Sequence, residues 1–292
     1  MATVQWYPGH MSKARREMEA DMKLVELVIE IVDARCPVSS RNPDIDKIAK
    51  GKSRLILLNK ADLADKYISE KWKKYFEDKG IRVVFINSKQ KEGIRNVLPN
   101  VKEVCADKIK RNLERGIKNQ PIRAMVVGIP NVGKSTFINA FAGRNITKTG
   151  DKPGVTKGKQ WIKINPELEL LDTPGILWPK FEDQEVGKRL AMIGSINDEI
   201  LVVEELAGNL LDYLYDNYFD LIKDRYKIDE DTLKPLEDDA QFVTKESLLL
   251  DKVSLTLGCL KKGGVPDYFK AASRFLDEFR AGRIGKISLE RP

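Results

Sequence analysis

The chain has 292 residues, 42% of them hydrophobic and 33% charged, a composition that fits a globular fold with a sizeable core and excludes a disordered or fibrous chain. No apolar run approaches the length of a membrane span and no signal-peptide core is present, so a cytoplasmic protein without membrane contact is expected. Three scattered cysteines (Cys36, Cys105, Cys259) and a single histidine match no metal spacing and exclude a zinc module, while a net charge of +7 favours polyanionic partners without requiring one.

Residues 1–23 read as an N-terminal arm. It opens with Trp6-Tyr7-Pro8-Gly9-His10-Met11 and continues as an amphipathic helix over 12–23, capped by Ser12. A strand over 24–32 ends at Asp33-Ala34-Arg35, and an ordered loop through Arg41-Asn42-Pro43 leads to a short helix over 44–50. The apolar run 55–58 is the next strand and delivers Asn59-Lys60-Ala61-Asp62 at its carboxyl end. A helix over 69–79, stopped by Gly80, precedes a strand over 82–86 that ends at Asn87-Ser88-Lys89. One long basic helix is predicted over 94–115. Strand 122–127 then runs into Gly128-Ile129-Pro130-Asn131-Val132-Gly133-Lys134-Ser135-Thr136, which opens a helix. The polar stretch 143–158 reads as a segment that a ligand orders, and a strand pair over 160–164 and 168–171 ends at Asp172-Thr173-Pro174-Gly175. Beyond Pro179 the pattern is helical, over 187–198, 201–223, 245–260 and 267–281. Strands alternating with helices predict an α/β domain, a mostly parallel sheet with helices on both faces, over 1–179; a small all-helical domain follows over 180–292.

Gly128 to Ser135 fits the phosphate-loop pattern, two glycines bracketing four residues and then Lys-Ser. Glycines let backbone N–H groups approach phosphates, and the helix that follows adds its positive N-terminal dipole. In this pattern Lys134 reaches the β- and γ-phosphates and the Ser135 hydroxyl holds Mg²⁺, with Pro130, Asn131, Val132, Gly133 and Thr136 lining the cradle. Asp172 stands where a second Mg²⁺ contact is needed, and the Gly175 N–H can bond the γ-phosphate. Thr156 is the candidate threonine that closes over Mg²⁺; a solvated loop threonine is the alternative.

Asn59-Lys60-Ala61-Asp62 selects the base. The Asp62 carboxylate can accept from the guanine ring N1–H and 2-amino group, which adenine lacks, so the nucleotide pair GTP/GDP is expected. Asn59 braces that loop, Lys60 lies along the base, and Asn87 and Ser88 support it from the next strand. This element precedes the phosphate loop, whereas the usual GTPase order is the reverse, so the predicted fold is a circularly permuted phosphate-loop GTPase domain. Ile176 occupies the place where many GTPases carry a water-orienting glutamine. His10 is a candidate to position or polarise that water, with structural capping as the alternative, and Asn131 is a candidate ligand for K⁺.

The motif order, the 6–11 opening, the stretch from Asp33-Ala34-Arg35 to Arg41-Asn42-Pro43 and the ending Gly282-Arg283-Ile284-Gly285-Lys286 together resemble the ribosome biogenesis GTPase A family over nearly the whole chain. The resemblance implies a permuted GTPase domain, a helical domain that contacts rRNA, and a role in late assembly of the bacterial large ribosomal subunit. It also implies a hydrophobic residue at the glutamine position, which Ile176 matches, and a proposed catalytic role that falls on His10. Lys261, Lys262, Arg274, Arg280, Arg283 and Lys286 are candidate phosphate contacts, against the alternative of an ordinary basic surface. A monomer is expected away from the ribosome. The rival class is an RNA-binding adaptor that uses GTP only as an occupancy sensor; an ATPase reading conflicts with Asp62.

Overall fold

Among the described residues, six strands form one sheet: β1 (Leu27–Asp33), β2 (Ser53–Asn59), β3 (Arg82–Phe85), β4 (Ile122–Val127), β5 (Gln160–Asn165) and β6 (Leu168–Asp172), in the spatial order β3-β2-β1-β4-β6-β5. The structure is a computed structural model that describes residues 16, 18–117, 120–147, 160–173, 183–197, 202–229, 231–233 and 244–292. Every neighbouring pair is parallel except β5 with β6, which the short turn at 166–167 makes antiparallel. The chain leaves β1 toward β2 and β3 on one side, then crosses to β4 and β6 on the other. The crevice at the carboxyl ends of β1 and β4 is therefore the point where connection direction reverses, the preferred ligand position in open parallel sheets.

Strand side chains alternate between the two faces of the sheet. Val32, Ile56, Leu58 and Val83 share one face and pack against Ile68, Trp72 and Phe76 of a helix over Lys66–Glu77, whose N-cap Asp65 accepts from the Ile68 N–H at 3.1 Å. On the same face, Val28, Met125, Val127 and Leu171 pack against Met18, Met22 and Ile45. Between these two apolar clusters stands Glu30, 2% exposed, accepting from Arg41 Nε at 2.6 Å and Arg54 Nε at 3.0 Å. Asp46 accepts from both guanidinium groups and closes the cluster. The other face is covered by a helix over Val97–Val104 that contacts β2 and β3.

In chain order the helices are α1 (Ile45–Ile48), α2 (Lys66–Glu77), α3 (Val97–Val104), α4 (Ala106–Glu114), α5 (Lys134–Ala142), α6 (Gln184–Met192), α7 (Val203–Asn217), α8 (Phe219–Tyr226), α9 (Lys245–Thr256) and α10 (Tyr268–Arg280). The single helix predicted over 94–115 is instead a 3₁₀ turn (Ile94–Asn96) followed by α3 and α4, broken at Cys105 (φ −104°, ψ 8°). The cause is tertiary: the Ser53 hydroxyl donates to the Val104 carbonyl at 2.8 Å, and the amides of Lys108 and Ile109 both turn to the Cys105 carbonyl. The helix predicted over 201–223 is likewise split at Tyr218 (φ −143°, ψ 39°), and α8 buries Ile222 and Tyr226 completely.

The chain divides into two compact units, residues 1–187 with 288–292, and residues 188–287. This differs at both ends from the helical domain expected over 180–292. In particular, residues 288–292 return to the first unit because their backbone and side chains bond to its loops. The second unit is built from α7, α9 and α10 around Leu210, Leu214, Val253, Phe275 and Leu276. Thr244 and Ser247 form a reciprocal capping box that starts α9, and Asp267 caps α10.

Glu30→Gln removes the charge that two guanidinium groups share and is expected to cost about 3–5 kcal/mol of stability, read as a fall in the denaturant midpoint. A loss under about 1 kcal/mol would show that Asp46 alone neutralises both arginines.

Candidate GTP-binding site

Asn59 lies at the end of β2 and its side chain crosses to the phosphate loop. Its Nδ2 donates to the Val132 carbonyl at 2.7 Å, while its Oδ1 accepts from the Ser88 N–H at 3.0 Å. Asn59 is 2% exposed, so both bonds form away from water. Lys60 follows in the left-handed region (φ +57°) and its Nζ donates to the Asn131 carbonyl at 2.9 Å. Asn131 is left-handed as well (φ +61°), so each of the two bonded loops holds a non-glycine residue there, a conformation that persists only where the surroundings over-determine it. Asn87, 5% exposed, accepts from the amides of Lys89 and Gln90 and folds the turn that carries Ser88. The Ser88 hydroxyl is buried and has no partner among the described residues. Asp62 is half-buried on the same loop.

The two loop glycines are required by close approach. A Cβ on Gly128 would lie 2.6 Å from the Ile31 carbonyl, and one on Gly133 would collide with the Asn59 amide nitrogen. Gly133 (φ +98°) also caps α5, so the backbone N–H groups of the first turn of that helix face out of the loop as an anion cradle. Lys134, 7% exposed, folds back over the loop and donates to the carbonyls of Gly128 at 3.0 Å and Ile129 at 3.4 Å. Burial lowers its pKa to about 8, against the attraction of Asp172. Asn139 organises the segment beyond α5, accepting from the amides of Ile146 and Thr147.

Asp172 ends β6 at 1% exposure, and neither of its carboxylate oxygens has a hydrogen-bond partner among the described residues. Burial raises its pKa to about 6, with Lys134 pulling the other way. A buried carboxylate with no partner, beside the first turn of a phosphate-loop helix that carries Ser135, is a donor set that suits a hard divalent cation. Thr173 anchors the strand end by donating its hydroxyl to the Val126 carbonyl at 2.8 Å.

The structure thus brings Asn59 and Lys60 into contact with the phosphate loop, joins Ser88 to it through Asn59, and sets Asp172 close enough to Lys134 for their charges to interact. His10, Thr156 and Gly175 lie outside the described residues, as do Ile176 and the 177–179 segment. Two residues not assigned to the site from sequence stand inside it. Asp33, at the carboxyl end of β1 level with Asn59, is fully buried; its Oδ2 lies 3.0 Å from Lys60 Nζ. Arg35, 1% exposed, grips Asp33 in a two-pronged contact, Nε to Oδ1 at 2.9 Å and Nη2 to Oδ2 at 2.8 Å. Burial pushes the Asp33 carboxyl up, but Arg35 and Lys60 outweigh it and hold the group ionised well below the usual carboxylate range. The signal in the sequence was an acid and a base two residues apart closing an apolar strand.

A phosphate loop, an Asn-Lys-x-Asp loop bonded to it from the preceding half of the chain, and a buried aspartate on the adjoining strand define a circularly permuted GTPase. Residues 123–243 match the family model MMR_HSR1, described as 50S ribosome-binding GTPase. Ribosome biogenesis GTPase A of Bacillus cereus is 46% identical over 289 residues, covering 99% of this chain and 94% of that protein. Its counterpart in Thermotoga maritima is 33% identical, covering 99% and 95%, and Mitochondrial ribosome-associated GTPase 1 of Bos taurus is 33% identical, covering 98% and 88%. The GNP-bound crystal structure of YlqF from T. maritima is similar at a TM-score of 0.64 with 28% identity, covering 96% of this chain and 98% of that one. The chain belongs to the ribosome biogenesis GTPase A family. It binds GTP and GDP and hydrolyses GTP.

The Asp172 pKa lies above its unfolded value of 3.8, so the folded chain holds an extra proton between about pH 4 and 6. Stability from this group is present below that window and lost as pH rises through it. Asp172→Asn is therefore expected to flatten the pH dependence of ligand-free stability between pH 4 and 6. At pH 7 it should raise stability by roughly 1–2 kcal/mol, about 3 for the relieved carboxylate less about 1 for the unpaired amide. Thermal melts of the ligand-free protein across pH 4–8 check both.

Proposed function

We propose that this chain is a nucleotide-switched assembly factor that docks on the precursor of the large ribosomal subunit with GTP bound and leaves after hydrolysis. The observation that carries the reading is the direct bonding of the Asn59-Lys60-Ala61-Asp62 loop to the phosphate loop, which joins base selection to phosphate binding in one rigid unit. Asp62 selects guanine through the ring N1–H and 2-amino group, Lys60 lies along the base, and the Ser88 turn bounds it from the other side. Lys134 leaves its two carbonyl partners to meet the β- and γ-phosphates, whose charge restores its full basicity. Ser135, Asp172 and Thr156 would hold Mg²⁺, which when bound neutralises charge on the β- and γ-phosphates. Asn131 is the proposed K⁺ ligand, His10 positions or polarises the attacking water, and Gly175 reads the γ-phosphate.

The helical unit supplies the rRNA contact in this reading. Of the six cations singled out in sequence, two are committed to structure: Arg280 donates to the carbonyls of Met192 at 3.1 Å and Ala191 at 2.8 Å at the end of α6, and Arg274 donates to the Leu257 carbonyl at 2.9 Å. Lys261, Lys262, Arg274, Arg283 and Lys286 are exposed, and Phe269, 61% exposed, offers a stacking face on α10. No helix among the described residues is long and apolar enough to cross a membrane. We propose a cytoplasmic protein, monomeric away from the ribosome.

GTP turnover measured in K⁺ or Na⁺ buffer, alone and with isolated large or small subunits, tests the reading. Marked stimulation by the large subunit alone is expected, with faster turnover in K⁺; equal turnover in all three mixtures would favour an adaptor that merely senses GTP. Asp62→Asn should weaken GTP binding by at least about 100-fold while improving binding of the xanthine nucleotide, whose 2-oxo group accepts where guanine donates. Unchanged GTP affinity in that variant would remove Asp62 from base selection.

A further inference from the structure

Residues 288–290 form a clasp on the loop after β1 and on α2 of the first unit. The Glu290 carboxylate accepts from the amides of Val38 at 2.8 Å and Ser39 at 2.9 Å, and from the Ser39 hydroxyl. The Leu289 N–H donates to the Arg35 carbonyl at 2.7 Å, and the Trp72 indole donates to the Glu290 carbonyl at 3.2 Å. The Asp65 N–H donates to the Ser288 hydroxyl at 3.2 Å. Ser288, Leu289 and Glu290 are all buried. One side of the clasp is therefore the loop that follows Asp33, and the other is the start of α2, which follows Asp62. The tail holds together the two segments that flank the guanine loop.

Inside the clasp, contacts run in series. Arg35, whose carbonyl takes the tail amide, fixes Asp33 through both guanidinium prongs and its own N–H at 3.1 Å. Asp33 meets Lys60 at 3.0 Å, and Lys60 meets the phosphate-loop carbonyl of Asn131 at 2.9 Å. Lys60 occupies a left-handed backbone conformation that a side chain adopts only under constraint from its surroundings, and Asp33 is one of its two fixed partners. A buried carboxylate with two cations at contact distance has little freedom to shift unless one of them moves.

We propose that residues 288–292 are a strap that positions Lys60 through Arg35 and Asp33, so that affinity for guanine nucleotides depends on the seating of the C-terminal tail. Glu290 and Asp33 are positioning residues; neither touches the nucleotide. The strap follows residue 287 without a linker, so the helical unit is joined covalently to the first unit at both of its ends, after residue 187 and before residue 288. This inference rests on the reading of Asn59 to Asp62 as the guanine loop.

The test is a double-mutant cycle in the full-length chain, with Glu290→Ala and Lys60→Ala alone and combined, each titrated with GDP, ADP and inorganic pyrophosphate. Glu290→Ala is expected to weaken GDP binding by roughly five- to fiftyfold while pyrophosphate binding stays within about twofold. In the Lys60→Ala background the same substitution should change GDP affinity by less than about twofold. Ser39→Ala and Glu290→Gln, which loosen the clasp without emptying it, should give intermediate losses and keep the test open if Glu290→Ala fails to fold. GDP affinity unchanged across the series, or an equal loss in both Lys60 backgrounds, overturns the strap while leaving GDP preferred over ADP. Equal affinity of the parent chain for GDP and ADP would overturn the guanine-loop reading itself.

Discussion

The candidate nucleotide site depends on a single carboxamide. Asn59 reaches across 73 residues of sequence to the Val132 carbonyl and across 29 to the Ser88 amide, tying together the loops after β2, β3 and β4. Only an amide can do this, because one bond needs a donor and the other an acceptor on the same planar group. An aspartate would set its charge against the Val132 carbonyl, and an alanine would leave a buried N–H and a buried carbonyl without partners. The bare backbone of Gly133 is the counterpart of this side chain, since any Cβ there would occupy the space the amide nitrogen fills. Lys60 adds a second tether to the same loop, one residue along on each side.

Circular permutation leaves this arrangement intact for a topological reason. In a parallel sheet every strand presents its carboxyl end at the same edge, so the loops that make the site meet there whatever order the chain visits them. What permutation changes is the path away from the site. Asp172 ends β6, the last strand in chain order, and the second unit begins at residue 188, with no further strand between among the described residues. Residues 288–292 then return to the first unit, so the helical unit is an insertion within it.

Strands and loop motifs were legible because they are governed by local chemistry: continuous apolar runs for buried strands, and glycines and amides at fixed spacing for the phosphate and guanine loops. Strand β4 lies over 122–127 as read, and β2 extends the read run by only a few residues to end on Asn59. The helix breaks at Cys105 and Tyr218 were not legible, because no local breaker marks them. The first follows from Ser53 of β2 capturing the Val104 carbonyl at the end of α3, a contact between residues 51 apart. The return of the tail was hidden for the same reason, since Glu290 pairs with residues about 250 positions away and its sequence context reads as an ordinary charged terminus. Asp33 and Arg35 were visible as a charged pair ending a strand, but their burial, which makes them part of the site, is a property of the assembled sheet.

The first unit buries charge in two distinct ways, and the difference separates scaffold from site. At Asp33 and Glu30 every carboxylate is matched by cations at contact distance, and the Asp33 carboxyl is held ionised despite full burial. These charges are compensated within the fold and fix loop geometry. At Asp172 and Lys134 compensation is incomplete: the carboxylate lacks partners among the described residues, its pKa is driven up to about 6, and the ammonium is driven down to about 8. A stable scaffold gains nothing from such a pair, whose burial costs free energy in the ligand-free chain. In the function proposed above, a polyphosphate and its cation would remove that cost at both ends, the phosphates meeting Lys134 and the cation Asp172. In that reading part of the binding free energy is relief of the burial cost the ligand-free chain already carries, while the Asp33 network beside it is compensated within the fold itself.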